Sequence, residues 1–175
     1  MNYSWIKYND TANGPGMRIS LFVSGCRNHC EGCFNKETWD FNHGQPFTDD
    51  TLNEILENSA LPRYNGLTIL GGEPFEPENQ PEVLRIICAY KQHFPNNNIW
   101  LFSGYLYDNN LKPGGNRYIE GVTNEILSLA DVLCDGKFVQ ELYDITLLFR
   151  GSSNQRLIDL KHSTYENIVF YEPSF

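Results

Sequence analysis

The chain of 175 residues is long enough for one well-packed domain and too short for two ordinary ones, so we expect a single domain over 1–175. Apolar residues make up 41% of the chain, which is enough to fill a core and excludes a largely disordered protein. The formal net charge of −9 provides no basic patch, and binding to nucleic acid or to an anionic membrane is not expected. The N-terminus has no basic segment followed by an apolar run, and we expect a cytoplasmic protein.

The first half of the chain predicts two strands with a helix between them. An apolar, β-branched run follows a Gly-Pro-Gly and indicates a strand over 17–23. Thr48 is a suitable N-cap for a helix whose apolar residues keep helical spacing as far as Leu56. A second apolar run at 67–70 lacks polar alternation and ends at two glycines, which is typical of a strand buried on both faces.

The same alternation continues in the second half. Pro81 suits the first turn of a helix that stops before Pro95. A strand follows at 98–102, then a helix at 122–130 and a strand near 131–135. Strands that alternate with helices predict a mostly parallel sheet, in which ligands gather beyond the carboxyl ends of the strands.

The chain past residue 138 has a weaker pattern. The segments "ITLLF" and "NQRLIDL" are typical of short strands, and "NIVFYEP" is typical of a last one. Their position in the sheet does not follow from the sequence.

Three of the five cysteines form the spacing C-x3-C-x2-C at positions 26, 30 and 33, directly after the first predicted strand. An odd number of bunched cysteines fits a secreted disulfide framework poorly and favours metal or redox chemistry. On a helix the three would share one face, but the glycines and polar residues between them make a helix weak there.

Three chemical interpretations of the cysteines compete. A zinc site needs four ligands, and although His29 is a conceivable fourth, no second close pair of ligands exists in the sequence. A redox pair of Cys30 and Cys33 leaves Cys26 unexplained. An iron–sulfur cluster takes thiolates from loops of this kind, and three protein thiolates on four irons leave one iron open to another ligand.

Several segments together resemble the radical S-adenosylmethionine enzymes. The block "NGPGMRISLFVSGCRNHCEGCFN" resembles the N-terminal motif of glycyl-radical-enzyme activases, "GGEP" at 71–74 resembles their cofactor-binding motif, and "DGKF" at 135–138 is similar to a later Asp-x-Lys element. The family fold implied is a small partial (βα) barrel with mostly parallel strands.

Further motifs narrow the resemblance. Gly32 precedes the third cysteine, where these enzymes usually carry an aromatic residue. The "GCFN" ending, "TW" at 38–39, "WLFSGY" at 100–105 and "FRGSSNQRLID" at 149–159 look like the activating proteins of anaerobic ribonucleoside-triphosphate reductases. Asn13 departs from the Asp found before Gly-Pro-Gly in many activases, which puts a charge-dependent role at this position in doubt.

The resemblance implies a ligand set and a reaction. Cys26, Cys30 and Cys33 are expected to hold three irons of a [4Fe–4S] cluster whose fourth iron binds S-adenosylmethionine. One electron from the cluster would cleave this cofactor to methionine and a 5′-deoxyadenosyl radical, so the cofactors carry the hard chemistry and no catalytic acid or base is assigned.

The resemblance also implies contacts to S-adenosylmethionine. Glu73 is expected to accept a hydrogen bond from its amino group, with a surface glutamate in a tight turn as the alternative. For Ser103 the alternative is a helix cap, for Asp135 with Lys137 a surface ion pair, and for Phe34 core packing. The expected cofactor-binding residues are Gly32, Phe34, Gly71, Gly72, Glu73, Ser103, Asp135 and Lys137.

The implied partners are proteins. They are the large subunit of an anaerobic ribonucleoside-triphosphate reductase, which receives the glycyl radical, and a low-potential electron donor of the flavodoxin or ferredoxin type. The Gly-rich loop at 104–120 is a candidate docking surface or a plain solvent loop. An activase of another glycyl radical enzyme, such as pyruvate formate-lyase, and a non-catalytic iron–sulfur or zinc module remain alternatives.

Three residues outside the motifs have expectations of their own. Arg18 is expected either to pair with a carboxylate of the cofactor or the backbone of the partner, or to face outward from its strand. Cys88 and Cys134 are isolated in a predicted helix and strand, and both are expected to be inert core thiols.

Overall fold

The computed structural model describes residues 1–173, which contain one seven-stranded sheet and three α-helices. The strands are β1 (Asn2–Asp10), β2 (Arg18–Val23), β3 (Gln45–Pro46), β4 (Gly66–Gly71), β5 (Asn98–Ser103), β6 (Val132–Asp135) and β7 (Arg156–Asp159). The helices are α1 (Asp49–Ser59), α2 (Gln80–His93) and α3 (Thr123–Leu129). Within residues 1–173 no helix is both long enough and apolar enough to cross a membrane.

The sheet has the order β3-β1-β2-β4-β5-β6-β7 and does not close on itself. Strands β2, β4, β5 and β6 are parallel, and the other three pair antiparallel at the edges. The predicted α/β fold with a parallel centre, a partial barrel, is confirmed. Because the four central strands run in one direction, the segments that follow them meet at the same edge of the sheet.

The helices begin where the sequence predicts. Thr48 caps α1, and its hydroxyl accepts a hydrogen bond from the backbone N–H of Thr51 at 3.3 Å. Pro81 lies in the first turn of α2, where a missing N–H costs no hydrogen bond. The apolar faces of the helices pack on the alternating strand residues Ile19, Leu21, Leu67, Ile69, Ile99, Leu101 and Leu133, and these form the main core.

The opposite face of the sheet carries Arg18, Ser20 and Phe22 of β2, which alternate with the core residues. The loop at 11–17, called the floor loop below, lies against this face. Thr68 of β4 donates a hydrogen bond to the carbonyl of Asn13 at 2.8 Å. The floor loop therefore closes one end of the space that the sheet leaves free.

Arg18 corrects an expectation, because it neither faces outward nor lies free for a cofactor. It is fully buried and donates hydrogen bonds to Thr68 Oγ1 (2.6 Å), Asn98 Oδ1 (2.9 Å) and the carbonyls of Pro15 (2.9 Å) and Leu67 (3.1 Å). Its guanidinium also lies 5.6 Å from the centre of the Trp100 ring. Arg18 thus holds the floor loop against the sheet.

The edges of the sheet differ from the expectation. Neither β1 nor β3 was predicted, although β1 alternates in exposure along much of its length. The expected short strand in "NQRLIDL" is confirmed as β7. The expected strand at "ITLLF" is wrong, because residues 145–149 form turns, and in "NIVFYEP" only Phe170 makes an isolated bridge, to Ile158.

Candidate metal and cofactor site

A cavity of about 440 Å³ lies over the floor loop, on the face of the sheet opposite the helices. Its base includes Ala12 and Asn13, and its sheet wall includes Phe22, Leu70 and Phe102. The loops that follow β2, β4, β5 and β6 complete the lining, as expected for the carboxyl edge of a parallel sheet. The fold therefore brings residues that are far apart in the sequence, from Ala12 to Gln155, into the lining of one cavity.

The cysteine loop after β2 is not helical, and the helix interpretation is therefore wrong. Gly25 and Cys26 donate backbone hydrogen bonds to the carbonyls of Thr38 (2.8 Å) and Trp39 (3.1 Å). The start of the cysteine loop is therefore fixed by the segment that follows it in the chain. His29 has a φ of 46° and Gly32 a φ of 72°, both in the left-handed region. Cys26, Cys30 and Cys33 all line the cavity in this conformation.

The environments of the thiols differ. Burial, together with the charge of Glu73, raises the pKa of Cys26 to about 12. Burial also raises the pKa of Cys30, against the nearby charge of Lys137 and a backbone hydrogen bond from Phe138, which lower it. The Sγ of Cys33 accepts a hydrogen bond from the N–H of Asn35 at 3.4 Å. The raised pKa values of Cys26 and Cys30 favour the neutral form of these two thiols until a cation takes the place of the proton.

The donor set suits an iron–sulfur cluster. Cys26, Cys30 and Cys33 all line the cavity, and within residues 1–173 no group of three His, Cys, Asp or Glu side chains is placed to hold a single metal ion. In a four-iron cluster each thiolate binds its own iron, whereas the ligands of zinc surround one ion. Three thiols that line one cavity therefore suit an iron–sulfur cluster.

The glycines of GGEP allow a close approach of two loops. Gly71 has a φ of 105°, and a Cβ there would lie 2.7 Å from the Cα of Phe22. A Cβ on Gly72 would lie 2.7 Å from the carbonyl oxygen of Gly25 in the cysteine loop. Both glycines line the cavity, so the backbone after β4 reaches both the cysteine loop and the free space.

Glu73 is fully buried, and its carboxylate is engaged by four donors of the protein. One oxygen accepts hydrogen bonds from Ser103 Oγ (2.8 Å) and the N–H of Phe75 (3.0 Å). The other accepts from the N–H of Gly104 (2.8 Å) and from Asn28 Nδ2 (3.1 Å). Glu73 therefore joins the ends of β4 and β5 to the cysteine loop.

The other predicted contacts divide into two groups. Ser103 and Phe34 line the cavity, and Phe34 is 68% exposed at its edge, so core packing does not describe it. Asp135 is buried away from the cavity, where Arg156 binds both of its oxygens, at 2.6 and 2.8 Å. Lys137 is exposed beside Cys30.

Gly32, the last of the predicted contacts, does not line the cavity. A Cβ at this position would lie 2.5 Å from Gln140 Oε1. Together with its positive φ, this close approach explains a glycine before the third cysteine.

Sequence reasoning missed several residues of this site. Among residues 1–173, the few buried side-chain atoms without a hydrogen-bond partner include Asn28 Oδ1, Trp39 Nε1 and Arg150 Nε, and all three residues line the cavity. An acceptor and two donors left unpaired at one cavity suit a polar ligand. A signal existed for Trp39 and Arg150, which lie in the quoted "TW" and "FRGSSNQRLID" motifs, but only as parts of a resemblance.

Glu76 and Arg27 were also missed. The buried carboxylate of Glu76 accepts hydrogen bonds from the N–H of Arg27 (2.9 Å), from Arg27 Nη1 (2.7 Å) and from the hydroxyl of Tyr105 (2.9 Å). It therefore ties the cysteine loop to the segment after β5. Only the fold brings Arg27 and Glu76 together, since 49 positions separate them.

The remaining cysteines are free thiols with different surroundings. Cys134 is fully buried on β6, and the expectation of a core thiol is confirmed there. Cys88 is exposed on α2, so the expectation that it lies in the core is wrong. The helix presents Ile86, Ile87 and Tyr90 to the core and turns Cys88 outward.

Comparison with known proteins supports an iron–sulfur cluster in a protein of this sequence. Residues 12–158 match the model of a family described as a 4Fe-4S single cluster domain. The anaerobic ribonucleoside-triphosphate reductase-activating protein of Escherichia coli K12 is 40% identical over 157 residues, which cover 89% of this chain and 96% of the relative. The protein of that name from Enterobacteria phage T4 is also 40% identical, over 90% of this chain and 93% of its own. The Vibrio cholerae protein of the same name is 37% identical, with 89% and 96% covered.

Proposed function

Because the chain belongs to the family of anaerobic ribonucleoside-triphosphate reductase-activating proteins, we propose that it is an enzyme that generates the glycyl radical of such a reductase. The reaction is the reductive cleavage of S-adenosylmethionine at an iron–sulfur cluster. The observation that carries the proposal is the set of three cysteine thiols that line one cavity at the carboxyl edge of the sheet.

Cys26, Cys30 and Cys33 are the proposed ligands of a [4Fe–4S] cluster. Support comes from their shared cavity and from the left-handed backbone that turns the loop between them. When bound, the cluster would supply the one electron that the cleavage of S-adenosylmethionine needs. The products would be methionine and 5′-deoxyadenosine, the latter carrying a hydrogen atom taken from a glycine Cα of the reductase. The electron comes from a low-potential donor of the flavodoxin or ferredoxin type.

In this proposal the residues of the protein bind and orient S-adenosylmethionine. Gly71, Gly72, Ser103 and Phe34 are the proposed wall around S-adenosylmethionine, and all four line the cavity. Glu73 has its carboxylate occupied by four protein donors, so its proposed role is to fix the loops that carry this wall. Lys137 is proposed to stabilise the charge of the Cys30 thiolate.

Two further residues of the predicted contact set have indirect roles in the proposal. Asp135 acts through Arg156, which also binds Asp108 in the loop after β5 at 2.8 Å. Gly32 acts by allowing the cysteine loop to pass close to Gln140. The free thiols suit a reducing compartment, and we place the protein in the cytoplasm.

The test is anaerobic reconstitution with iron and sulfide, followed by reduction in the presence of S-adenosylmethionine and the reductase large subunit. We expect a cluster absorbance, formation of 5′-deoxyadenosine and methionine, and a glycyl radical signal by electron paramagnetic resonance on the reductase. Absence of 5′-deoxyadenosine would contradict the enzymatic function. A radical on pyruvate formate-lyase and none on the reductase would contradict the choice of partner.

A matched pair of cysteine variants controls this test. Cys26→Ala removes a proposed ligand, and we expect it to abolish 5′-deoxyadenosine formation. Cys88→Ala removes an exposed thiol on α2 that does not line the cavity, and we expect full activity. Equal losses in both variants would contradict the proposed ligand set.

A further inference from the structure

The cavity has a single cationic side chain in its lining. Among residues 1–173, Arg150 is the one lysine or arginine that lines the cavity, and Glu73 is the one aspartate or glutamate. The carboxylate of Glu73 is already occupied by four protein donors. Lys137, the cation that the resemblance placed at the cofactor, is exposed and does not line the cavity. An anionic ligand in this cavity therefore meets one positive charge, the guanidinium of Arg150.

The guanidinium of Arg150 is not neutralised by the protein. In the part of the chain that the structure describes, no carboxylate pairs with it, whereas Arg156 pairs with Asp135 at 2.6 Å and with Asp108 at 2.8 Å. The half-buried Arg150 donates from Nη1 to the carbonyl of Gln155 at 3.1 Å, and its buried Nε has no hydrogen-bond partner. A charge withdrawn from water without a counter-ion costs free energy, and a bound anion would offset that cost.

The backbone beside Arg150 is held in a fixed position. The side-chain oxygen of Gln155 accepts hydrogen bonds from the N–H groups of Gly151 at 2.9 Å and Ser152 at 3.1 Å. The side-chain amide of Gln155 donates in turn to the carbonyl of Gly136, directly after β6, at 3.0 Å. The segment that carries Arg150 is thus fastened to the carboxyl edge of the sheet, so less ordering is needed when a ligand binds.

Arg150 also borders a second, smaller cavity of about 220 Å³. Arg156 lines that cavity as well, but its guanidinium is already paired with two carboxylates. The three thiols of the proposed cluster line the larger cavity and not the smaller one. The larger cavity is therefore the place where the unpaired charge of Arg150 meets the substrate of the proposed reaction.

The chemistry of S-adenosylmethionine indicates which of its groups suits Arg150. Its sulfonium and amino groups are cations, and the carboxylate of its methionine part is its one anion. A guanidinium repels the cations and matches a carboxylate with a planar pair of donors. A carboxylate has two oxygens with about four lone-pair sites, so contact with Arg150 leaves a site for the open iron of the cluster.

We propose that Arg150 binds the carboxylate of S-adenosylmethionine and thereby orients the methionine part of the substrate in the cavity. The inference rests on the proposed function, which places S-adenosylmethionine there. Lys137 has a different role, because it is the cation beside Cys30. The motif "FRGSSNQRLID" contains both Arg150 and Arg156, and only the structure distinguishes the unpaired arginine from the paired one.

The experiment measures ligand binding to the reconstituted protein with the cluster kept oxidised, so that no electron is available for cleavage. The first probe is S-adenosylmethionine. The second is its decarboxylated form, which keeps the adenosine, the sulfonium and the amino group. We expect Arg150→Gln to raise the Kd for S-adenosylmethionine on the order of tenfold, as for the loss of a charged hydrogen bond. The Kd for the decarboxylated form should stay within about twofold, because the variant and this probe share no interaction.

Two further variants control the measurement. Arg150→Lys keeps the charge without the planar pair of donors, and we expect an intermediate Kd for S-adenosylmethionine. Arg85→Gln removes the same charge from an exposed position of α2, on the face of the sheet opposite the cavity, and we expect the Kd of the unmodified protein. Equal cluster absorbance shows that the variants are folded and loaded. If Arg150→Gln does not take up the cluster, Arg150→Lys carries the comparison of the two probes.

Three outcomes would overturn the role of Arg150. They are an unchanged Kd for S-adenosylmethionine in Arg150→Gln, an equal loss of affinity for both probes, and a loss of the same size in Arg85→Gln. A changed midpoint potential of the cluster without ligand, together with an unchanged Kd, would assign the guanidinium to the cluster and also overturn it.

Failure of the proposed function has a different signature. A protein that shows the expected preference for the carboxylate but makes no 5′-deoxyadenosine after reduction contradicts the enzymatic function and not the role of Arg150. A protein that makes 5′-deoxyadenosine, with the same Kd in Arg150→Gln as in the unmodified protein, contradicts the role of Arg150 alone. The two failures are therefore distinguishable.

Discussion

Two buried carboxylates hold opposite ends of the candidate site, and their environments have opposite effects. Asp10 anchors the floor loop, where it accepts hydrogen bonds from Ala12, Asn13 and Ser20 and pairs with Lys7 at 2.8 Å. Burial raises its pKa, but the hydrogen bonds from Lys7 and the polar neighbours outweigh burial and lower the pKa to about 2. Asp10 is stable as an anion.

Glu73 lies at the carboxyl edge of the sheet, and none of the groups that donate hydrogen bonds to its carboxylate is positively charged. It accepts four hydrogen bonds from neutral donors, and Glu76 adds a like charge nearby. Burial therefore dominates and raises its pKa to about 7. The ionised carboxylate of Asp10 therefore stabilises the fold at the floor loop, whereas the ionised carboxylate of Glu73 lowers the stability of the fold at the cavity.

The largest expected loss of stability comes from a substitution of Arg18, which holds the floor loop. Arg18→Met removes the donor group from Asn98 Oδ1, from the buried carbonyl of Leu67 and from the partly buried carbonyl of Pro15. We expect the free energy of unfolding to fall by about 4 kcal/mol, from desolvated acceptors at about 1–3 kcal/mol each. Urea unfolding measures the loss, and Arg18→Lys should recover part of it. A loss below about 1 kcal/mol would mean that the floor loop is not held by Arg18.

The second prediction concerns the pH dependence that Glu73 imposes on the metal-free protein. A raised pKa gives extra stability that is present below pH 4.5 and is lost as the pH rises through about 7. The difference amounts to about 3 kcal/mol at most. Glu73→Gln cannot ionise, so its free energy of unfolding should lack this decline. Parallel pH profiles for the two proteins, measured by urea unfolding, would show that Glu73 titrates normally.

Asp10 should show the opposite sign. Its lowered pKa gives stability that is present above about pH 4 and is lost as the pH falls towards 2. Asp10→Asn should lack this acid-sensitive contribution of about 2 kcal/mol. Acid unfolding followed by circular dichroism measures the midpoint. If both proteins lose stability alike below pH 4, the contrast between the two carboxylates does not hold.

The smallest expected change in stability is that of a substitution at Asn13. Its Nδ2 donates to Asp10 Oδ2 at 2.6 Å, and Asn13→Asp replaces this donor with a second carboxylate. We expect a loss of about 1 kcal/mol at pH 7, which decreases on acidification because one carboxylate of the pair then takes a proton. Asn124→Asp, at an exposed position of α3, is the control and should leave stability nearly unchanged. The paired measurement is thermal unfolding at pH 7 and pH 5.

Much of the fold followed from local patterns. The four parallel strands and three helices were predicted with boundaries close to those observed, because apolar runs, the Thr48 cap and Pro81 act through near neighbours in the chain. The antiparallel strand β1 was missed because its pairing with β2 and β3 is not encoded in its own sequence. Residues 145–149 were misread for a related reason, since an apolar run does not say whether it enters a sheet or a turn at a surface.

The sequence by itself determined the kind of chemistry: three cysteines at close spacing after a strand, GGEP after the next, and no basic patch. Only the tertiary structure decided what the charged residues do. Arg18, Glu73 and Glu76 have hydrogen-bond partners up to 80 positions away, and each of these buried side chains joins segments that are distant in the sequence. The physical reason is that the free energy of a charge depends on its solvent and neighbours, and both are fixed only when the chain is folded.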